Sequence, residues 1–165
     1  MRLWGCYVNT LMSLVYLGLG SNLGDKQKNI KKALALIKKW VGDIITRSGL
    51  YETQPWGYDS LEVFLNMAVG VETNLKPEEL LLVTENIERK IGRRKKSVTH
   101  KYQDRIIDID ILLYDNLILQ TPKLIIPHPL MHRREFVLKP MFEIAPDFIH
   151  PVSGKTIAEL YNLYL

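Results

Sequence analysis

The chain has a single cysteine, Cys6, among 165 residues, which excludes an internal disulfide and a multi-cysteine zinc centre. It also lacks an apolar run of the ~18 residues that a membrane span requires. The stretch from Leu3 to Leu19 comes nearest, but Asn9, Thr10 and Ser13 interrupt it and no Ala-x-Ala-like cleavage site follows. Internal repeats, low-complexity tracts and linkers are absent. The phosphate-cradling pattern Gly-x-x-x-x-Gly-Lys is missing too, so Gly18-x-Gly20-Ser21-Asn22 reads as a tight turn leading into a helix. These absences leave a cytoplasmic globular protein as the expectation.

What is present fits one folded unit. Apolar residues make up 47% and charged residues 24%, close to the globular average, so disorder is a poor reading. A chain of this length builds a sufficient core without metal or disulfide staples. We expect residues 1–13 to form an N-terminal extension, with Met12 a candidate start, and residues 14–165 to form a single domain. The formal charge, 22 − 18 = +4, suits a phosphate-bearing partner without saying whether that is a nucleic acid, a membrane or a nucleotide.

Leu14 to Leu19 is a strand-forming run. From Asp25 to Val41, Ile30, Ala33, Leu34, Ile37 and Val41 recur at helical spacing, and Gly42 supplies a stop. Ile44 to Tyr51 and Leu61 to Thr73 read as an antiparallel pair of strands. Pro77, then Leu80, Val83, Ile87 and Ile91, then Gly92, mark a second helix. A basic loop, 93–104, feeds a last strand carrying Ile107, Ile109, Ile111 and Leu113. Strand, helix, strand, strand, helix, strand is the ferredoxin-like α+β arrangement, an antiparallel sheet with two helices on one face. The proline-punctuated remainder is expected to add short strands or turns and a final helix near Thr156 to Leu163.

Four constellations carry chemistry. Asp108 and Asp110 are two apart in a strand and therefore share a face. Such a pair repels unless a hard cation neutralises it, Mg²⁺ held by carboxylates and substrate phosphates being the common case. A solvated acidic strand face is the alternative, though Asp is disfavoured in strand interiors. Arg93, Arg94, Lys95, Lys96, His100, Lys101 and Arg105 precede the acids, and cations opposite a metal are how phosphoryl transfer is usually assisted. Phe64 and Asn66 share another strand face, offering a stacking ring beside an amide that can pair with a heteroaromatic edge. Finally, Pro127 and Pro129 bracket His128, with Arg133 and Arg134 nearby as phosphate-binding candidates. For the last three, a solvated loop, a backbone-satisfied amide and a surface turn are the plain alternatives.

Taken together these residues resemble the 6-hydroxymethyl-7,8-dihydropterin pyrophosphokinases of folate biosynthesis. The likeness runs from about Leu14 to Leu160. It rests on Gly18-Leu19-Gly20-Ser21-Asn22-Leu23-Gly24-Asp25, Tyr51-Glu52-Thr53 with Pro55 and Gly57, Phe64-Leu65-Asn66, Glu88 before Gly92-Arg93, Arg105-x-x-Asp108-x-Asp110, and Pro127-His128-Pro129 with Arg134 and Phe136. The resemblance implies transfer of the terminal diphosphate of ATP to the pterin hydroxymethyl group, with AMP released. It implies two Mg²⁺ ions on Asp108 and Asp110, and Arg93 and Arg105 as catalytic arginines. ATP would meet Arg93, Lys95, Arg105, Ile111, His128 and Arg134. The pterin would lie between Phe64 and Phe136, with Asn66 and the segment holding Thr53, Gln54 and Trp56 at its edge, and Tyr102 would be the loop aromatic. A monomer acting on small molecules, without nucleic acid or membrane, follows from the same likeness.

Two features depart from the family pattern. Gln103-Asp104 stands where a small residue and then a proline or another small residue are usual, and the basic loop is slightly longer. Arg105 also has the parity of Ile107, so the backbone must bend for it to reach the face of Asp108. An RNA-binding module on the same fold is the alternative from another class, but two central strands lack the adjacent aromatics it needs. A metal-dependent nucleotidyltransferase would use the same acids and release pyrophosphate.

Overall fold

The computed structural model describes residues 12–55, 62–92 and 104–165. Its core follows the expected order. Strand β1 (Ser13–Ser21) leads into helix α1 (Lys26–Trp40), followed by β2 (Gly42–Arg47), β3 (Tyr51–Thr53) and β4 (Phe64–Thr73). Helix α2 (Pro77–Ile91) and strand β5 (Asp108–Tyr114) complete it. All pairings in this five-stranded sheet are antiparallel, in the order β2-β4-β1-β5, with β3 also on β4. The strand expected over Ile44 to Tyr51 is thus divided into β2 and β3, with residues 48–50 between them.

Local chemistry explains both helices. Asp25 caps α1 by accepting from the Lys28 N–H at 2.9 Å, and α2 starts at Pro77, where the missing N–H is one that a helix leaves unpaired anyway. Alternation then divides the sheet into two faces. Val15, Leu17 and Leu19 of β1, Leu65, Met67, Val69 and Val71 of β4, and Ile109 and Ile111 of β5 pack against Ile30, Ala33 and Ile37 of α1 and Leu80 and Ile87 of α2. Burial of a large aliphatic side chain is worth ~1.5–3 kcal/mol, so this layer is the main source of stability.

The proline-punctuated remainder forms more than the expected short strands, turns and last helix. After a hairpin of β6 (Leu119–Gln120) and β7 (Ile125–Ile126) and a 3₁₀ turn at Met131–Arg133 come α3 (Glu135–Ile144) and α4 (Ile157–Tyr164). Helix α3 was not expected because Pro140 interrupts its pattern. The proline sits inside the helix, where it removes one backbone hydrogen bond, and burial of Val137, Leu138 and Met141 offsets the loss. These residues, with Ile157 and Leu160 of α4, pack on Tyr16, Ala68, Leu112 and Leu113. Helices therefore lie on both faces of the sheet, and among the described residues the second face carries a cleft whose lining includes Gly18, Gly20, Asn66, Asp108 and Asp110.

Gly42 has φ +156°, and a Cβ there would lie 1.9 Å from the Glu72 carbonyl oxygen. Gly42→Ala should therefore cost about 2 kcal/mol or more, read as a fall in Tm of roughly 4–8 °C in thermal unfolding.

Candidate active site

The site is assembled on the register of β1. Gly20 pairs with Asn66 on one side and Asp108 on the other, while Gly18 pairs with Ala68 and Asp110. Both glycines lie inside the strand, so the expected tight turn is displaced to residues 22–25. With no side chains, they leave a furrow across β1 that joins the amide on β4 to the acids on β5. A Cβ on Gly20 would approach Asn66 Oδ1 to 2.9 Å.

One cleft lies over this furrow. Its walls include Thr53, Gln54, Phe64, Asn66 and Phe136, the described members of the expected pterin set. Asn66 is buried, and its amide nitrogen donates to Thr53 Oγ1 at 2.7 Å, which fixes the orientation of the amide. Phe136 lies in the first turn of α3, and the Arg134 guanidinium stands 5.7 Å from its ring centroid. Glu143 of α3 accepts from Gly49 N–H at 2.9 Å and from Tyr51 O–H at 2.7 Å, tying the β3 wall to the α3 wall.

A second cleft adjoins it and carries Ile111 and His128. Arg105, Asp108, Asp110 and Arg134 line both clefts. The two acids and two arginines therefore mark the boundary across which a group could pass. Asp108 and Asp110 offer oxygen donors suited to a hard cation. Among the described residues no group of three or more His, Cys, Asp or Glu is placed to hold a metal ion, so a cation here would take its remaining oxygens from water or substrate.

Arg105 reaches this boundary because the chain bends at Ile106 before β5 begins. Its Nη1 meets Asp108 Oδ2 at 2.5 Å. The bend is held by residues that the sequence alone presents as a turn. Buried Asn22 accepts from Arg105 N–H at 2.7 Å through Oδ1, and its amide nitrogen donates to Asp104 Oδ1 at 2.6 Å. Ser21 Oγ donates to the Ile106 carbonyl at 2.5 Å. A Ser-Asn pair ending a strand is the available signal, but the residues at the bend that it holds, 104–106, lie more than eighty residues away. Arg93, Lys95, Tyr102 and Trp56 lie outside the described residues.

His128 is fixed through its backbone N–H, which donates to the Leu112 carbonyl at 2.9 Å. Burial first, and the positive charge of Arg134 second, push its pKa down to about 4, against a smaller opposing effect of Asp108. It is therefore neutral at pH 7 and would meet a phosphate as a hydrogen-bond donor, without a positive charge of its own.

By fold, the chain resembles a Plasmodium falciparum HPPK-DHPS crystal structure with pteroate, at a TM-score of 0.76 and 21% identity, over 93% of this chain and 42% of that longer one. That likeness shows the ferredoxin-like fold alone. The sequence model for 7,8-dihydro-6-hydroxymethylpterin-pyrophosphokinase matches residues 16–146, and the chain belongs to that family. A 2-amino-4-hydroxy-6-hydroxymethyldihydropteridine pyrophosphokinase of Porphyromonas gingivalis is 46% identical over 141 residues, 85% of this chain and 95% of the relative. One from Aquifex aeolicus is 40% identical over 148 residues, 90% of each chain. The chain is a pyrophosphokinase of folate biosynthesis.

Two outcomes follow. Gly20→Ala should displace Asn66 and raise the pterin KM on the order of tenfold, about 1.4 kcal/mol, in steady-state kinetics. A histidine with a lowered folded-state pKa binds fewer protons when folded, so stability should fall as pH drops from about 6.5 toward about 4. His128→Asn should flatten that fall by up to about 1.4 kcal/mol per pH unit in urea titrations, leaving the smaller contribution of His150, whose pKa burial also lowers.

Proposed function

We propose that the chain moves the terminal diphosphate of ATP onto the hydroxymethyl oxygen of 6-hydroxymethyl-7,8-dihydropterin. The observation that carries this reading is the pair of clefts sharing Arg105, Asp108, Asp110 and Arg134. Phe64, Phe136, Asn66, Thr53 and Gln54 would hold the pterin in the first, and Ile111 and His128 would meet the nucleotide in the second. The hydroxymethyl oxygen attacks the β-phosphorus, and the bond from that phosphorus to the α,β-bridging oxygen breaks. AMP leaves with the bridging oxygen, and the hydroxyl proton passes to solvent.

Asp108 and Asp110 would bind two Mg²⁺ ions, whose chemistry is to neutralise the phosphates and stabilise the attacking and leaving oxygens. Arg105 and Arg134, guanidinium groups at the cleft boundary, would hold the phosphate oxygens and keep attacking and leaving atoms in line. The furrow at Gly18 and Gly20 lets the pterin arm approach without a side chain between the substrates. The active unit in this reading is a monomer. Residues 14–165 would act as one domain beyond an extension of residues 1–13, in the cytoplasm where ATP is available.

The test is incubation of purified protein with Mg²⁺, ATP and the pterin, with products separated by chromatography. AMP and pterin diphosphate are expected from the wild type, and Asp110→Ala should lose at least about 10²–10³-fold in kcat. Free pyrophosphate with a nucleotidylated acceptor would instead identify a nucleotidyltransferase, and unchanged turnover in Asp110→Ala would remove the acid from the mechanism.

A further inference from the structure

Glu88 is a buried carboxylate to which the mechanism above assigns no role. It lies in the last turns of α2, is 4% exposed, and lines the second cleft beside Asp108 and Asp110. Its Oε1 accepts a hydrogen bond from the Ile109 N–H at 2.8 Å. Ile109 is the residue between the two acids. Strand β5 stands at the edge of the sheet and pairs with β1 alone among the other strands of that sheet. An edge strand has a row of N–H and C=O groups with no neighbouring strand, and is the part of a sheet most able to slip or fray. Here a helix carboxylate takes the place of the missing neighbour at the Asp108–Ile109 peptide, the first of the two peptides between Asp108 and Asp110. Burial shields that bond from competing water.

We infer that Glu88 is a positioning residue: by holding the Ile109 N–H it fixes the outer edge of β5, and with it the spacing at which Asp108 and Asp110 face the phosphates. The inference rests on the reading of those acids as the phosphate and cation site. Glu88 touches no reacting atom, and its effect runs through the β5 backbone. Close packing carries the same coupling, since a Cβ on Gly92, the residue ending α2, would lie 3.1 Å from Ile106 Cδ1. The end of α2 thus abuts the chain just as it enters β5.

Glu88→Gln keeps an acceptor of the same reach, whereas Glu88→Ala removes it. In the metal-free, full-length protein, amide hydrogen exchange followed by NMR should show Ile109 exchanging at least tenfold faster in Glu88→Ala, with Leu17 and Val69 unchanged. Calorimetry with Mg²⁺ and α,β-methylene ATP should give a dissociation constant at least tenfold weaker, while pterin affinity stays within about twofold. Glu88→Gln should restore most of both. Equal losses for nucleotide and pterin, an unaltered Ile109 amide, or a Gln variant no better than Ala would overturn the inference. Should Glu88→Ala fail to fold, Glu88→Asp, which shortens the reach by one methylene, supplies the same comparison. An Asp108→Asn, Asp110→Asn double variant separates the two claims. If it binds Mg²⁺ and nucleotide as the wild type does, the reading of the acids fails, whatever the Ile109 amide reports.

Discussion

Strand β1 is hydrogen-bonded along both edges, to β4 and to β5, and its register sets where Asn66, Asp108 and Asp110 stand. A slip of one residue would turn Leu17 and Leu19 out of the core and bring their side chains into the furrow. Burial of those two leucines against the helices therefore holds Gly18 and Gly20 under the clefts. Glycine is a poor strand former, and its use at both positions makes sense only as space for something else. That space connects a recognition side on β4 with a charged side on β5.

The electrostatics follow from the same framework. Two carboxylates on one face of an edge strand are an unfavourable arrangement that needs positive charge close by. Arg105 supplies it directly, and Arg134, buried at the start of α3, lines the same boundary. His128 adds a hydrogen-bonding group while remaining neutral at pH 7, since burial outweighs the acid nearby. The charge balance at the boundary is thus carried by guanidinium groups and carboxylates, the set that triphosphate and metal would be expected to rearrange.

Elements whose signals are local were legible in the sequence. Helices α1 and α2 carried their own caps and period, and the parity of Phe64 with Asn66 and of Asp108 with Asp110 placed each pair on one face, as the sheet register has it. What sequence missed depends on distant partners. Asn22 looks like any turn residue until residues 104–105 arrive beside it, and Glu88 looks like one more helix carboxylate until β5 docks. Helix α3 was hidden by Pro140, whose cost is offset only by packing on the far face of the sheet. Gly18 and Gly20 resemble a turn in sequence because spacing cannot distinguish a bend from a furrow.

A crystal structure with Mg²⁺, α,β-methylene ATP and 6-hydroxymethyl-7,8-dihydropterin bound would test the central claim most directly. The account requires the pterin between Phe64 and Phe136 with its edge on Asn66, the phosphates over Asp108 and Asp110, and the hydroxymethyl oxygen facing the β-phosphorus across Gly18 and Gly20. Phosphates seated away from both acids, or a pterin outside the Phe64 and Asn66 cleft, would contradict it.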